Sequence, residues 1–198
     1  MPSARPDDAS QTYSGVLRSR WLQADPTLSW LTVAGLACVA GPFAVLAAFL
    51  KTSSPALALV AVVMAPLVEE LGKVAAPLMT LERWPYRFVS GAQLVLVCAV
   101  SGLIFGCLEN LLYLLLYLKH PTAALAVWRW TVCTSLHVGC SLIAGLGLRR
   151  IWLAARAAFK RPDVSLAAPY FLTAMAIHGT YNALAILLQQ THLLSLGE

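Results

Sequence analysis

Apolar and polar positions alternate along the chain in long blocks. Leu28 to Leu50 is almost uninterruptedly apolar and closes on Lys51, Thr52, Ser53, Ser54 and Pro55. Ala56 to Thr80 is the second block, broken from within by Glu69, Glu70 and Lys73, and followed by Glu82, Arg83, Pro85 and Arg87. Gly91 to Leu118, ending at Lys119, His120 and Pro121, is the third and longest. Ala124 to Leu148 and Ala167 to Gln189 complete the set, separated by a basic stretch holding Arg149, Arg150, Arg156, Lys160 and Arg161. Each block reaches the roughly 20 apolar residues that a membrane-spanning helix requires. The pattern predicts an all-α polytopic transmembrane helix bundle of about five spans. Residues 28–190 form its membrane domain. Residues 1–27 form a cytoplasmic tail with a mildly amphipathic interfacial helix from Tyr13 to Trp21, and residues 191–198 a short external tail.

Composition agrees. The chain is 59% hydrophobic and 12% charged, about half the charge of a soluble domain. Its net charge of +5 reflects topology rather than a nucleic-acid partner. Arg5, Arg18, Arg20, Arg83, Arg87 and the five basic residues after the fourth block fall on one side of a five-span bundle. Only Lys51, Lys119 and Arg129 fall on the other. By the positive-inside rule the N-terminus is cytoplasmic and the C-terminus external, as expected of a multi-pass protein of a bacterial plasma membrane. Cys38, Cys98, Cys107, Cys133 and Cys140 all lie in apolar blocks, where cysteine serves as a small hydrophobe. Small residues for helix packing account for Cys133 and Cys140 better than soft metal ligands do.

The polar residues inside the blocks carry the chemistry. Three of nine acidic residues, Glu69, Glu70 and Glu109, sit in segments expected in lipid. A charge there costs several kcal/mol, and such residues mark polar sites facing a bundle interior. Lys73 lies one turn beyond both Glu69 and Glu70 and can pair with either, but one lysine cannot neutralise two acids. Pro66 frees the carbonyl of Val62, a discontinuity typical of cavity-lining helices. Gly102 and Gly106 offer a small face for close helix approach, with Phe105 one turn before Glu109. Glu109 lacks a local basic partner, so its partner comes from another helix, a metal or water. His137 with Ser141, and His178 with Asn182, share faces at one-turn spacing. Four successive helices thus bring polar groups to overlapping depth.

Glu69-Glu70-x-x-Lys73, Phe105-x-x-x-Glu109-Asn110, His137-x-x-x-Ser141 and His178-x-x-x-Asn182, one per helix and in this order, resemble the PrsW family of intramembrane proteases. The related CAAX-prenyl protease and bacteriocin-processing family is similar, but usually carries Arg after its acid pair and His where this chain has Glu109. The resemblance implies a membrane-embedded endopeptidase of metallopeptidase type, linked to shedding of membrane-anchored anti-sigma factors. The wider clan also holds a non-proteolytic scaffold subunit of gamma-secretase.

On that reading Glu69, Glu70, Glu109, His137, His178 and Asn182 form the catalytic set. A zinc ion would draw three ligands from Glu70, Glu109, His137 and His178, leaving one position for water, and a remaining glutamate would act as base. Zinc is not demanded by spacing, because H-E-x-x-H is absent. A metal-free site would use Glu69 or Glu70 as base on water. The expected partners are a membrane-anchored protein substrate and the lipid bilayer, with no nucleic acid. Two alternatives stand beside the protease: a catalytically inert scaffold, and an ion- or proton-coupled transporter, against which the lack of an inverted repeat counts.

Overall fold

The computed structural model describes residues 12–51 and 60–190. The tail before Thr12, the start of the second span at Ala56 and the 191–198 tail lie outside them. Helix α1 (Tyr13–Leu22) is capped by Thr12, whose hydroxyl accepts from the Gly15 amide. Then follow α2 (Pro26–Lys51), a π-turn (Val60–Met64) leading into α3 (Ala65–Arg83), and α4 (Gly91–Leu112), which runs on as a π-turn (Tyr113–Tyr117). The short α5 (Ala123–Trp128) passes through a third π-turn (Arg129–Cys133) into α6 (Thr134–Ala158), and α7 (Ala168–Gln190) closes the bundle. No strand occurs among the described residues.

Four of these segments are long and apolar enough to cross a membrane: Pro26–Leu46, Gly91–Tyr117, Ala123–Ala158 and Val164–Leu188. The fifth expected span, α3, is not in that group among the described residues, because Glu69, Glu70 and Lys73 interrupt it. It packs instead against α2, α4, α6 and α7, so its polar side chains face protein. One boundary differs from the sequence expectation. The fourth helix does not end near Leu148 but continues to Ala158, so Arg149, Arg150 and Arg156 lie on helix rather than loop. Leu148, Ile151, Trp152 and Ala155 continue its buried stripe at helical spacing, and basic residues suit a helix C-terminus.

Small residues bring α4 and α6 together. A Cβ at Gly102 would stand 2.6 Å from the His137 carbonyl oxygen and 2.5 Å from the Ser141 hydroxyl; at Gly145 it would stand 3.0 Å from the Val95 Cα. Gly179 does the same for α7, where a Cβ would fall 2.5 Å from the carbonyl oxygen of Val62. That is the carbonyl Pro66 cannot engage, and the contact seats α7 directly on the π-turn before α3.

At the basic end, Trp152 Nε1 donates to the carbonyls of Pro85 and Phe88, both at 3.1 Å. The side-chain carbonyl of Gln93 accepts from the Ser29 hydroxyl and the Val89 amide, both at 2.9 Å. The loop between α3 and α4 is thereby tied to α2 and α6. Helix α1 lies across this end, with Leu17 buried and Trp21 edge-on to Trp152 and Phe159.

The glycine contacts yield a paired prediction. Alanine raises helix propensity over glycine by up to about 1 kcal/mol, and a Cβ at Gly139 would meet nothing within 4 Å. Gly139→Ala should therefore be neutral or stabilising. Gly102→Ala must push backbone and should destabilise by about 1–3 kcal/mol. Unfolding of the two variants in the same detergent, followed by circular dichroism, checks this; equal stabilities would contradict the close α4–α6 approach.

Candidate active site

Polar side chains from α3, α4, α6 and α7 meet in one continuous network. Glu69, Glu70, Lys73, His137 and His178 are all buried, Glu70 and Lys73 completely. Glu69 and Glu70, adjacent on α3, point about 100° apart and meet different nitrogens of the same His178 ring. Glu70 Oε1 accepts from Lys73 Nζ at 2.6 Å and faces His178 Nδ1 at 2.7 Å. Glu69 Oε2 lies 3.7 Å from His178 Nε2. Lys73 Nζ also stands 2.8 Å from His137 Nδ1. His137 Nε2 stands 3.1 Å from Glu109 Oε2, and that oxygen accepts from Arg129 Nη2 at 3.0 Å. The two imidazole rings are 5.1 Å apart and nearly perpendicular.

Aromatic and backbone contacts hold these groups in place. Phe105 lies under the Lys73 ammonium at 4.4 Å and edge-on to His137 at 4.7 Å. It thus shields one side of the site and adds a cation–π attraction. The Ser101 hydroxyl donates to the Lys73 carbonyl at 2.7 Å, fixing α3 against α4. Asn110 does not enter the network. Its amide donates to the Arg129 carbonyl and the Thr134 hydroxyl, both at 3.0 Å. Ser141 is buried one turn beyond His137, its hydroxyl without a hydrogen-bond partner among the described residues. Asn182 is half-buried one turn beyond His178. Cys133 contacts the Tyr181 hydroxyl at 3.0 Å, and Cys140 donates to the Ala174 carbonyl at 3.5 Å; both serve helix packing.

Arg129 was not among the sequence-predicted site residues; its charge read only as one of three on the outer loops. Glu109's partner does come from another helix, and it is this arginine. Tyr113 stacks over the guanidinium at 3.7 Å.

A sequence model described as PrsW family intramembrane metalloprotease matches residues 25–196, nearly the whole chain. The chain belongs to this family. No curated protein and no solved structure matches it. Membership in the PrsW family supports a membrane-embedded protease, and the network supplies what such a family's metal would need. Glu69, His137 and His178 bring one carboxylate oxygen and two ring nitrogens within 4.8 Å of one another, a donor set suited to zinc. Three carboxylates face one lysine and one arginine, so one negative charge remains when both histidines are neutral. Glu70 Oε2 is buried without a hydrogen-bond partner among the described residues. These features fit a divalent cation. Of the acids expected as ligands, Glu70 and Glu109 instead contact the histidines from outside this trio.

The buried Glu70–Lys73 pair gives a stability prediction. Removing one partner strands the other charge and costs about 3–5 kcal/mol, whereas removing both costs less. Glu70→Gln and Lys73→Met should each destabilise strongly, and Glu70→Gln/Lys73→Met should be more stable than the worse single variant. A double-mutant cycle by denaturant unfolding measures the coupling; additive effects would mean the pair is not a unit.

Proposed function

We propose that this PrsW-family protein cleaves a membrane-anchored protein, of the anti-sigma-factor kind, at a zinc site held by Glu69, His137 and His178. The observation that carries the reading is the convergence of these three donors, each histidine backed by a second carboxylate. Glu70 stands against His178 Nδ1 and Glu109 against His137 Nε2. Carboxylates in that position fix ring orientation and tautomer in metal sites. Bound zinc would supply a Lewis acid and a more acidic water. His137 would ligate through Nδ1, so its contact with Lys73 is the one that yields. Glu70, whose Oε2 is uncommitted, takes the proton of the attacking water as general base. Lys73 offsets its charge. Ser141 and Asn182, one turn beyond each histidine, supply donors for the developing oxyanion.

The orientation we propose puts the N-terminus and the end bearing Arg83, Arg87, Arg149, Arg150, Arg156, Lys160 and Arg161 in the cytoplasm. Cation–π contacts of Arg18 with Phe159, Arg20 with Tyr86 and Arg161 with Tyr13 support one common basic end. Cysteine introduced at Ser165 should label only from the cytoplasmic side; labelling from outside would invert the orientation.

The function itself is tested with a membrane-anchored reporter and the protein in lipid. Glu69→Gln, Glu70→Gln, His137→Ala and His178→Ala should each reduce cleavage by about 10²-fold or more. Glu109→Gln should fall less, because it acts through His137. Bound metal should drop with activity in both histidine variants, and a chelator should inhibit. Full activity in a rigorously metal-free preparation would leave a glutamate-activated water in place of zinc. Full activity of Glu70→Gln and of both histidine variants would remove the protease reading and favour a scaffold.

A further inference from the structure

We propose that Arg129 is a positioning residue of this site: through Glu109 it holds the His137 ring in the orientation that catalysis uses. The inference rests on the protease reading above for its catalytic consequence, and on geometry for the rest.

Arg129 reaches the site only because of a local irregularity. On a regular α-helix residues 129 and 137 would point about 80° apart. The π-turn Arg129–Cys133 inserts about one residue and takes back about 100°, leaving the two within about 20°. Both then meet the same oxygen, Glu109 Oε2, at 3.0 Å and 3.1 Å. Asn110, the neighbour of Glu109, donates to the Arg129 carbonyl at 3.0 Å and so clamps the wide turn. Tyr113, one turn beyond Glu109, stacks on the guanidinium at 3.7 Å. Three groups within about one turn of α4 and its extension, Glu109, Asn110 and Tyr113, therefore hold one arginine.

The other side of the ring fixes the proton. A lysine ammonium only donates, so His137 Nδ1, 2.8 Å from Lys73, accepts. The ring proton is then on Nε2 and is donated to Glu109. Ligation of a metal through Nδ1 would leave that proton in the same place. Glu109 can hold the ring only if its own carboxylate is fixed, and Arg129 is the cation that fixes it. A plain clip between α4 and α6 would tie the helices without bearing on the ring.

The test uses the full chain in lipid nanodiscs with the membrane-anchored reporter. Arg129→Gln should lower kcat by about 10–100-fold with KM little changed, and Arg129→Lys should recover part of the loss. In the Glu109→Gln background, Arg129→Gln should change kcat by less than about 2-fold, because the two act as one unit. An independent readout is nitrogen-15 NMR of ring-labelled histidine, with the His137 signal assigned by its loss in His137→Ala. Wild type should show an Nε2–H ring, and its proton signal should shift or broaden in Arg129→Gln and return in Arg129→Lys. A raised KM with unchanged kcat, multiplying effects of the two substitutions, or an unmoved His137 signal would overturn the proposal. If Arg129→Gln does not fold, the same measurements on Arg129→Lys decide, with partial loss expected against wild-type values. Should the wild type fail to cut the reporter, the protease reading fails, while the His137 signal still tests the positioning role.

Discussion

A charge placed in hydrocarbon must find an opposite charge and hydrogen bonds, and this constraint organises the protein. Glu69, His178, Glu70, Lys73, His137, Glu109 and Arg129 form a chain in which each member contacts the next. The chain crosses α3, α4, α6, α7 and the turn before α6. Its members cannot be satisfied by lipid, so the helices that carry them must close around one another. That is why α3, the least lipid-compatible of the long helices, is packed against all the others.

Closure of this kind needs backbones to come close, and the sequence provides for it with glycine and with wide turns. Gly102 and Gly145 let α4 meet α6; Gly179 lets α7 rest on the Val62 carbonyl. The π-turns before α3, after α4 and before α6 each shift helical phase. Interrupted helices of this sort are tolerated in membranes where they face protein or a polar cavity. Here two of them serve the site: one seats α7 beside α3, the other turns Arg129 toward Glu109.

The arrangement divides the acids by role. Two carboxylates stand behind two histidines, and a third joins the histidines as a donor. Such a layout matches what a metal site uses, a donor trio with carboxylates behind its histidines. The lysine at its centre belongs to the same charge balance, since it contacts both Glu70 and His137.

The sequence alone determined the helical membrane architecture, because apolar runs of spanning length between polar clusters have few other solutions. It also marked Glu69, Glu70, Lys73, Glu109, His137 and His178 as a group, because ionisable residues in such runs are costly and rarely incidental. Regular spacing correctly put Lys73 within reach of the acid pair and Phe105 on the face of Glu109. What spacing could not decide was which acid meets which histidine. Glu69 and Glu70 are equivalent by sequence; that they meet opposite nitrogens of the same His178 ring follows from the way α7 packs on α3. Nor could spacing reveal Arg129, which on a regular helix points away from His137; the π-turn that brings it back is stabilised by Asn110 from another helix. The extension of α6 to Ala158 was hidden for a similar reason: its arginines resemble a loop until the buried stripe through Ile151 and Trp152 is seen against the rest of the bundle. Periodicity reports what each helix is, whereas partner choice depends on the phase and contact of helices distant in sequence, and only the tertiary structure fixes those.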